Sequence, residues 1–221
     1  MLYEFERPLE IDLADTPVTL VTRGEFDTLL ARWAQARGAT LQEDSPVSGA
    51  QQKSDYVQVK TRDGETFECR YLVGASGAGG VISRQFNSVD HQGIAVNTRL
   101  KVTDESYSDY YSLLEFNAHP DLQGYGWVFP KQDHLNVGVG GYKSEINWRR
   151  AFQNFLADTF STVDPGELNF TGHPLPFFNQ EQTYFSGRIA LAGDAAGFLD
   201  ALTGEGIFYA LKSAFLLASV L

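Results

Sequence analysis

The stretch that decides the fold is Gly187-Arg-Ile-Ala-Leu-Ala-Gly-Asp-Ala-Ala-Gly197, which is followed by a second apolar segment ending near Leu221. The short apolar run Ile189–Ala192 is bounded by glycine and fits a buried strand. Asp194 stands where this strand stops, and the small residues after it leave room for a ligand to approach the backbone. Thr203-Gly-Glu-Gly206 then precedes a helical pattern, with Thr203 as the predicted N-cap.

A carboxylate at a strand end and a nearby helix start are together suited to a polar cofactor. Asp194 can accept hydrogen bonds from sugar-like hydroxyls, and the helix start at Gly204–Gly206 favours negative charge. A flavin, which becomes an anion when reduced, matches both features. The same residues also fit a purely structural strand, loop and helix, so both interpretations stay open at this point.

A second pattern lies in the middle of the chain, in Tyr125-Gly-Trp127-Val-Phe129-Pro130. The three aromatic residues have period two, which places them on one face of a strand, and Pro130 ends that strand. Gly138-Val-Gly140 follows shortly after. From the residues alone, this face is either ordinary core packing or the wall of an apolar ligand site.

Both patterns resemble motifs of one family. Gly193-Asp194-Ala-Ala-Gly197 with Gly204-Glu-Gly206-Ile207 resembles the second FAD-contacting motif of flavoprotein hydroxylases. The sequences Leu-Thr-Gly-Glu-Gly-Ile and Tyr-x-Trp-x-Phe-Pro are most similar to motifs of the geranylgeranyl reductase family, within the p-hydroxybenzoate hydroxylase-like superfamily. The resemblance implies an FAD-dependent oxidoreductase that reduces carbon–carbon double bonds of an apolar isoprenoid.

The resemblance also implies site residues. Those expected to contact FAD are Arg23, Val47, Gly193, Asp194, Gly204, Gly206 and Ile207, and those expected to contact substrate are Tyr125, Trp127 and Phe129. Asp194 would bind the ribityl chain, while the backbones of Gly206 and Ile207 would meet the isoalloxazine ring. Arg23 would lie near the cofactor, with a surface arginine at a helix start as the alternative, and the Val47 backbone would meet the adenine end. No catalytic residue is singled out, and NADPH or ferredoxin are the candidate electron donors.

The predicted fold class is mixed α/β. Residues 1–86 and 183–221 are expected to form a partial FAD/NAD(P)-binding Rossmann-like domain. Residues 87–182 alternate polar and apolar side chains and are expected to form an inserted antiparallel-sheet substrate domain. The family's Gly-x-Gly-x-x-Gly unit does not occur upstream of Arg23. We therefore expect either an internal piece of a longer flavoprotein or a member shortened at both ends, with weak or no FAD binding by these residues alone.

Composition narrows the classes of partner. The formal net charge is −11, which argues against nucleic acid. The single cysteine, Cys69, rules out an internal disulfide and is predicted to be structural, and the four histidines show no metal-site spacing. The apolar tail Gly206–Leu221 is shorter than the roughly 20 residues of a membrane span and is predicted to be a buried core helix. We expect a cytoplasmic protein, with peripheral membrane contact as an open alternative.

Two other functions remain open. Flavin-dependent monooxygenases and halogenases share the Gly-Asp motif, and halogenases carry a similar aromatic-x-Trp stretch ending in proline. A third interpretation is a non-catalytic chain that needs a partner to bind FAD. The oligomeric state is not predicted.

Overall fold

Contacts within the chain divide the protein into two units, and each unit contains one of the two motifs. The computed structural model describes residues 18–86, 93–101, 108, 110, 113–119, 122–142, 145–161, 163–164, 166 and 168–221. The first unit comprises the described residues of Met1–Leu41 and Val96–Gly172, and the second those of Gln42–Ala95 and His173–Leu221. The predicted limits at residues 86 and 182 differ from these, and the assignment of one unit to cofactor and the other to substrate stays a prediction.

The helices and strands alternate along the described chain. In order they are α1 (Arg23–Ala36), β1 (Val47–Gln52), β2 (Val57–Thr61), β3 (Thr66–Cys69), β4 (Leu72–Gly74), α2 (Val81–Phe86), β5 (Gly93–Leu100), β6 (Glu115–His119), β7 (Gly124–Pro130), β8 (Leu135–Gly141), α3 (Trp148–Thr159), β9 (Thr171–Leu175), β10 (Phe185–Ser186), β11 (Ile189–Leu191) and α4 (Ile207–Val220).

A five-stranded sheet dominates the first unit. Its strand order is β6-β7-β8-β5-β9, and β7 pairs antiparallel with both β6 and β8, the latter along its whole length, from Gly124 opposite Gly141 to Pro130 opposite Leu135. One face of this sheet carries small and β-branched residues such as Val128 and Val137, which are fully buried. The antiparallel strands predicted for this part of the chain are therefore present in β6, β7 and β8.

Helix α3 covers that buried face because its apolar residues recur at helical spacing. Trp148, Phe152, Phe155 and Leu156 are buried, as the sequence predicted. The Asn147 side chain accepts a hydrogen bond from the Arg150 backbone at 3.1 Å and so caps the helix start. The helix and the sheet together form the core of the first unit.

Helix α1 belongs to the first unit and carries an apolar stripe, but it is not buried. Leu29 and Trp33 are 43% and 54% exposed. The helix ends at Ala36, and the φ of +95° at Gly38 suits the position after the C-cap residue. Residues 18–22, before the helix, form no strand. Within them, Thr22 O accepts hydrogen bonds from the backbone N–H groups of Glu25 and Phe26.

The second unit combines a small antiparallel sheet with a parallel strand pair. Strands β1, β2 and β3 form a meander in that order, with the predicted turn at Asp63-Gly64 between β2 and β3. Strand β11 pairs in parallel with β4, with Ile189 opposite Leu72 and Leu191 opposite Gly74. Val57, Ile82 and Leu191 lie in the core that these strands share with α2.

Helix α4 is far more exposed than the sequence predicted. Its composition is strongly apolar, yet Ser213 is its only buried residue, and Phe215 is 70% exposed. The described residues contact α4 on one side only, where Ala210 lies against Gly193. The prediction of a buried core helix is therefore wrong for the described structure, because apolar composition alone does not say which faces are covered.

Gly126 provides a test of the packing between the sheet and α3. A Cβ atom at this position would lie 2.6 Å from Phe155 Cε2, so we expect Gly126→Ala to destabilise the fold by about 1–3 kcal/mol through overpacking. Gly24→Ala is the matched control, because nothing lies within 4 Å of its added Cβ and alanine favours helix by up to about 1 kcal/mol. Urea unfolding followed by circular dichroism should show a lower midpoint for the first variant only. Equal midpoints would contradict the packing.

Candidate functional site

The parallel pairing of β4 and β11 brings two loops to one edge of the sheet. Both strands end in the same direction, and the Ala192 N–H donates to Gly74 O at 3.0 Å just beyond the paired residues. The loop 75–80 follows β4, and the 3₁₀ turn Gly193–Ala196 follows β11. In open α/β sheets, ligands bind outside the carboxyl ends of the parallel strands, so this edge is the candidate site.

The 3₁₀ turn places Asp194 beside the start of α4. Gly206 is the N-cap residue of that helix, and a Cβ atom built on it would lie 3.2 Å from Asp194 Oδ1. Gly193 has a φ of +57°, and its added Cβ would lie 3.0 Å from the Cβ of Ala210. The structure thus brings together Gly193, Asp194, Gly206 and the adjoining Ile207, as the sequence analysis expected, while their roles toward a cofactor remain predictions.

The loop between the turn and the helix is closed by its own hydrogen bonds. The Asp200 N–H donates to Glu205 O at 3.0 Å, and the Gly204 N–H donates to Asp200 O at 3.0 Å. Gly204 adopts a φ of +68°, which a residue with a side chain rarely adopts. Thr203 donates to the Asp200 carboxylate from both its backbone and its hydroxyl, and these bonds lower the pKa of Asp200.

The helix start is capped differently from the prediction. Thr203 is not the N-cap, because its hydroxyl bonds to Asp200 and the helix begins only at Ile207. Glu205 instead reaches forward, and its Oε1 accepts the Phe208 N–H at 2.8 Å. Since the carboxylates of Glu205 and Asp194 already lie at the positive end of α4, the preference of that end for a further anion is reduced.

Ser213 holds the turn and α4 together, and the sequence analysis missed it. Its hydroxyl accepts the buried Gly193 N–H at 3.0 Å and donates to Ala210 O at 3.0 Å. Ser213 is the buried polar residue of an otherwise apolar helix. The sequence did offer one signal, because Ser213 is a polar residue about two turns into an apolar helix. The sequence could not identify Gly193 as its hydrogen-bond partner, since that contact depends on the tertiary structure.

Two other residues of the predicted cofactor site, Val47 and Arg23, lie in other elements of the chain. Val47 begins β1, is half-buried and pairs with Thr61. In the loop after β4, the Ser76 hydroxyl fills the space that a side chain on Gly80 would need. Arg23 is the first residue of α1 and forms an ion pair with Asp27 at 2.9 Å.

Tyr125, Trp127 and Phe129 share one face of β7, as predicted. Their rings form a continuous row, with centroids 6.0 Å apart between the first two and 6.2 Å apart between the last two. Phe116 of the neighbouring strand extends this row, with its ring 5.5 Å from Tyr125 and 5.1 Å from Phe129. We call these four residues the aromatic wall.

Two glycines of β8 leave room for the rings of the aromatic wall. Gly138 lies opposite Trp127, and Gly140 lies opposite Tyr125. A Cβ atom on Gly138 would lie 2.7 Å from Trp127 Cε2, so the indole lies across the strand where a side chain is missing. The Trp127 Nε1 donates to Asn136 Oδ1 at 2.8 Å and fixes the ring. Tyr-x-Trp and Gly-x-Gly are therefore one cross-strand unit rather than two separate motifs.

Comparison with known proteins agrees with this geometry. The sequence profile of the FAD-binding domain family matches residues 3–221. The chain belongs to this family. An uncharacterised protein of Methanosarcina barkeri is 34% identical over 212 residues, covering 93% of this chain and 53% of the relative. The chloroplastic geranylgeranyl diphosphate reductase of Nicotiana tabacum is 33% identical over 176 residues, covering 77% of this chain and 35% of the relative.

A solved structure that is similar to this chain shows the fold. The geranylgeranyl bacteriochlorophyll reductase-like protein of Thermoplasma acidophilum superposes on this chain with a TM-score of 0.71 at 24% identity, covering 90% of this chain and 53% of that one. The predicted mixed α/β class and the resemblance to geranylgeranyl reductases are confirmed. The chain spans about half the length, or less, of the relatives it matches.

None of the described helices combines the length and the apolar character that crossing a bilayer requires. The described residues also contain no group of three or more His, Cys, Asp or Glu side chains arranged to hold a metal ion.

The hydrogen bond between Ser213 and Gly193 can be tested directly. Ser213→Ala leaves the buried Gly193 N–H without its acceptor, so we expect a loss of about 1–3 kcal/mol in the free energy of unfolding. Ser219→Ala is the matched control on the same helix, because Ser219 is exposed and bonds only within its own turn, to Leu216 O. Chemical unfolding of both variants measures the difference. If Ser219→Ala loses as much stability as Ser213→Ala, the hydrogen bond between Ser213 and Gly193 does not have the stabilising role expected here.

Proposed function

We propose that the protein is an FAD-dependent reductase of carbon–carbon double bonds in an isoprenoid substrate. Membership of the FAD-binding family supports the cofactor, and the names of relatives such as geranylgeranyl diphosphate reductase support the substrate class. The observation that carries the proposal is the aromatic wall, because four rings in contact with one another offer a long polyunsaturated chain an apolar surface. Tryptophan and phenylalanine bury large apolar areas against such a chain.

The residues at the carboxyl edge of β4 and β11 fit FAD. Asp194 would accept hydrogen bonds from the ribityl hydroxyls, because a carboxylate is an acceptor on both oxygens. Gly206 has no side chain in the space beside Asp194, so its backbone and that of Ile207 are open to a flat ring. Gly193 and Gly204 contribute by adopting positive φ angles, which set the paths of the turn and of the loop before α4.

The contacts of Val47 and Arg23 with FAD are also part of the proposal. The Val47 backbone would meet the adenine end, and Arg23 would lie near the cofactor. In the structure Arg23 is bound to Asp27, so engaging a cofactor would require the arginine to share or exchange that partner.

The chemistry divides between the cofactor and the protein. Reduced FAD supplies the hydride when it is bound, and NADPH or ferredoxin would supply its electrons. The role of this chain is to hold the substrate along Tyr125, Trp127 and Phe129, to exclude water there, and to orient the cofactor through Asp194. We assign no proton donor.

The proposed activity predicts a change in substrate mass. Anaerobic incubation of the protein with FAD, dithionite and a prenyl substrate should yield products heavier by about two mass units for each reduced double bond. Mass spectrometry after extraction makes the measurement. A gain of about 16 mass units in the presence of oxygen would instead indicate a monooxygenase, and no change with any prenyl substrate would rule out the reductase.

Asp194 should control cofactor affinity in the same preparation. Asp194→Asn removes the charge from the hydrogen bonds to the ribityl chain, so we expect FAD affinity to fall about tenfold. Asp158→Asn, an exposed carboxylate near the end of α3, is the control and should bind FAD like the wild type. Quenching of flavin fluorescence on titration gives both affinities. Unchanged binding by Asp194→Asn would remove Asp194 from the cofactor site.

A further inference from the structure

Strand β8 contributes a single side chain to the face that carries the aromatic wall. Its residues on that face, all of them described, are Asn136, Gly138 and Gly140. Residues directly opposite one another on paired strands share a face, and Asn136 lies opposite Phe129. The two glycines leave their part of the face bare, so Asn136 is the polar group that β8 places beside the Phe129 end of the wall.

The Asn136 amide is oriented by Trp127. The indole Nε1 donates to Asn136 Oδ1 at 2.8 Å. Since an indole nitrogen can only donate, the amide oxygen rather than the amide nitrogen must face it. The NH2 group of Asn136 is therefore turned away from the indole. One hydrogen bond thus fixes both the Trp127 ring and the direction of the amide donors.

The NH2 group of Asn136 is a donor that a ligand can reach. Among the described residues, none accepts a hydrogen bond from Asn136 Nδ2, and this nitrogen is not one of the buried polar atoms left without a partner. Asn136 is half-buried, so its NH2 group stays open to solvent or to a bound molecule. The N–H of Trp127, by contrast, is already used within the protein.

The surroundings of Asn136 favour an uncharged partner for this donor. The other residues of β6, β7 and β8 on the same face are aromatic or small, namely Phe116, Ala118, Tyr125, Trp127, Phe129, Gly138 and Gly140. These three strands are described throughout and place no charged side chain there. Burying an anion without a counter-ion is costly, whereas a neutral oxygen needs only a hydrogen bond.

We propose that Asn136 is the polar contact of the substrate site: its carbonyl positions the Trp127 ring, and its NH2 group donates to an uncharged oxygen of the substrate at the Phe129 end of the aromatic wall. The inference rests on the proposed function, which supplies the prenyl chain along the wall. It adds the class of oxygen that lies next to that chain, which is an ether, carbonyl or hydroxyl oxygen. A charged group of the substrate lies beyond this face.

Two ligands that differ at one position test the donor. Geranyl methyl ether accepts a hydrogen bond but cannot donate one, and its hydrocarbon analogue has a CH2 group in place of the ether oxygen. Headspace gas chromatography measures how much of each ligand the protein removes from solution, and so gives both affinities without cofactor or turnover. Comparing the ratio of the two affinities between variants cancels the difference in hydrophobicity between the ligands.

The variants separate the two groups of the Asn136 amide. Asn136→Asp keeps an acceptor for Trp127 Nε1 and removes the N–H donors, so the ratio of ether affinity to hydrocarbon affinity should fall about fivefold, the effect of roughly one hydrogen bond. Gln51→Glu is the matched control, because Gln51 is an exposed amide on β1 whose oxygen accepts from Lys53. Its affinity ratio should equal that of the wild type.

Asn136→Leu tests the positioning of Trp127. This variant removes both groups of the amide, so it should also weaken binding of the hydrocarbon, because the indole is no longer held. Phenylalanine has no N–H, so in a Trp127→Phe background Asn136→Leu should leave hydrocarbon binding unchanged. The same loss in both backgrounds would contradict the positioning role. If Asn136→Leu does not fold, the affinity ratio of Asn136→Asp still decides whether the amide contacts the oxygen.

Two further outcomes would overturn the inference, and they differ in meaning. Equal affinity ratios for the wild type and Asn136→Asp would show that the NH2 group does not contact the substrate oxygen, while the proposed reductase would stand. A wild type that takes up neither ligand would show that the aromatic wall is not a prenyl-binding surface, and the proposed function would be lost together with the inference.

Discussion

The parallel pairing between β4 and β11 is the constraint on which the candidate cofactor site depends. Without it, the loop after Gly74 and the turn after Leu191 would have no reason to meet at one edge. Each strand contributes only three residues, so the pairing needs support from its surroundings. That support comes from the buried core around Ile82 and Val57 and from the hydrogen bond between Ser213 and Gly193, which attaches α4 to the turn.

The features that the sequence predicted well are those with a strong local signal. An apolar run closed by Gly193-Asp194 indicates a strand and its end, because a buried strand must stop where a carboxylate begins. Period two in Tyr125, Trp127 and Phe129 indicates a shared face, because the geometry of a strand leaves no other arrangement. The spacing of Trp148 and Phe152 indicates one side of a helix for the same reason.

The features that were missed depend on partners distant in sequence. Thr203 has the residue type of an N-cap, but its hydroxyl donates to Asp200 instead. The same carboxylate oxygen of Asp200 also accepts the N–H groups of Leu202 and Thr203. The burial of Ser213 follows from the elements that pack against it. The exposure of α4 has the same origin, since an apolar helix is buried only where something covers it.

Gly138 has a consequence for how selectivity can vary among proteins with this sheet. The indole that lies over it is held at its nitrogen by Asn136, so the floor beneath Trp127 is a fixed surface that cannot deepen or narrow without losing that bond. At the outer strand, the Phe116 ring is 55% exposed and contacts Tyr125 and Phe129. A residue of another size at position 116 would therefore change the exposed side of the aromatic wall without disturbing the hydrogen bond that holds Trp127.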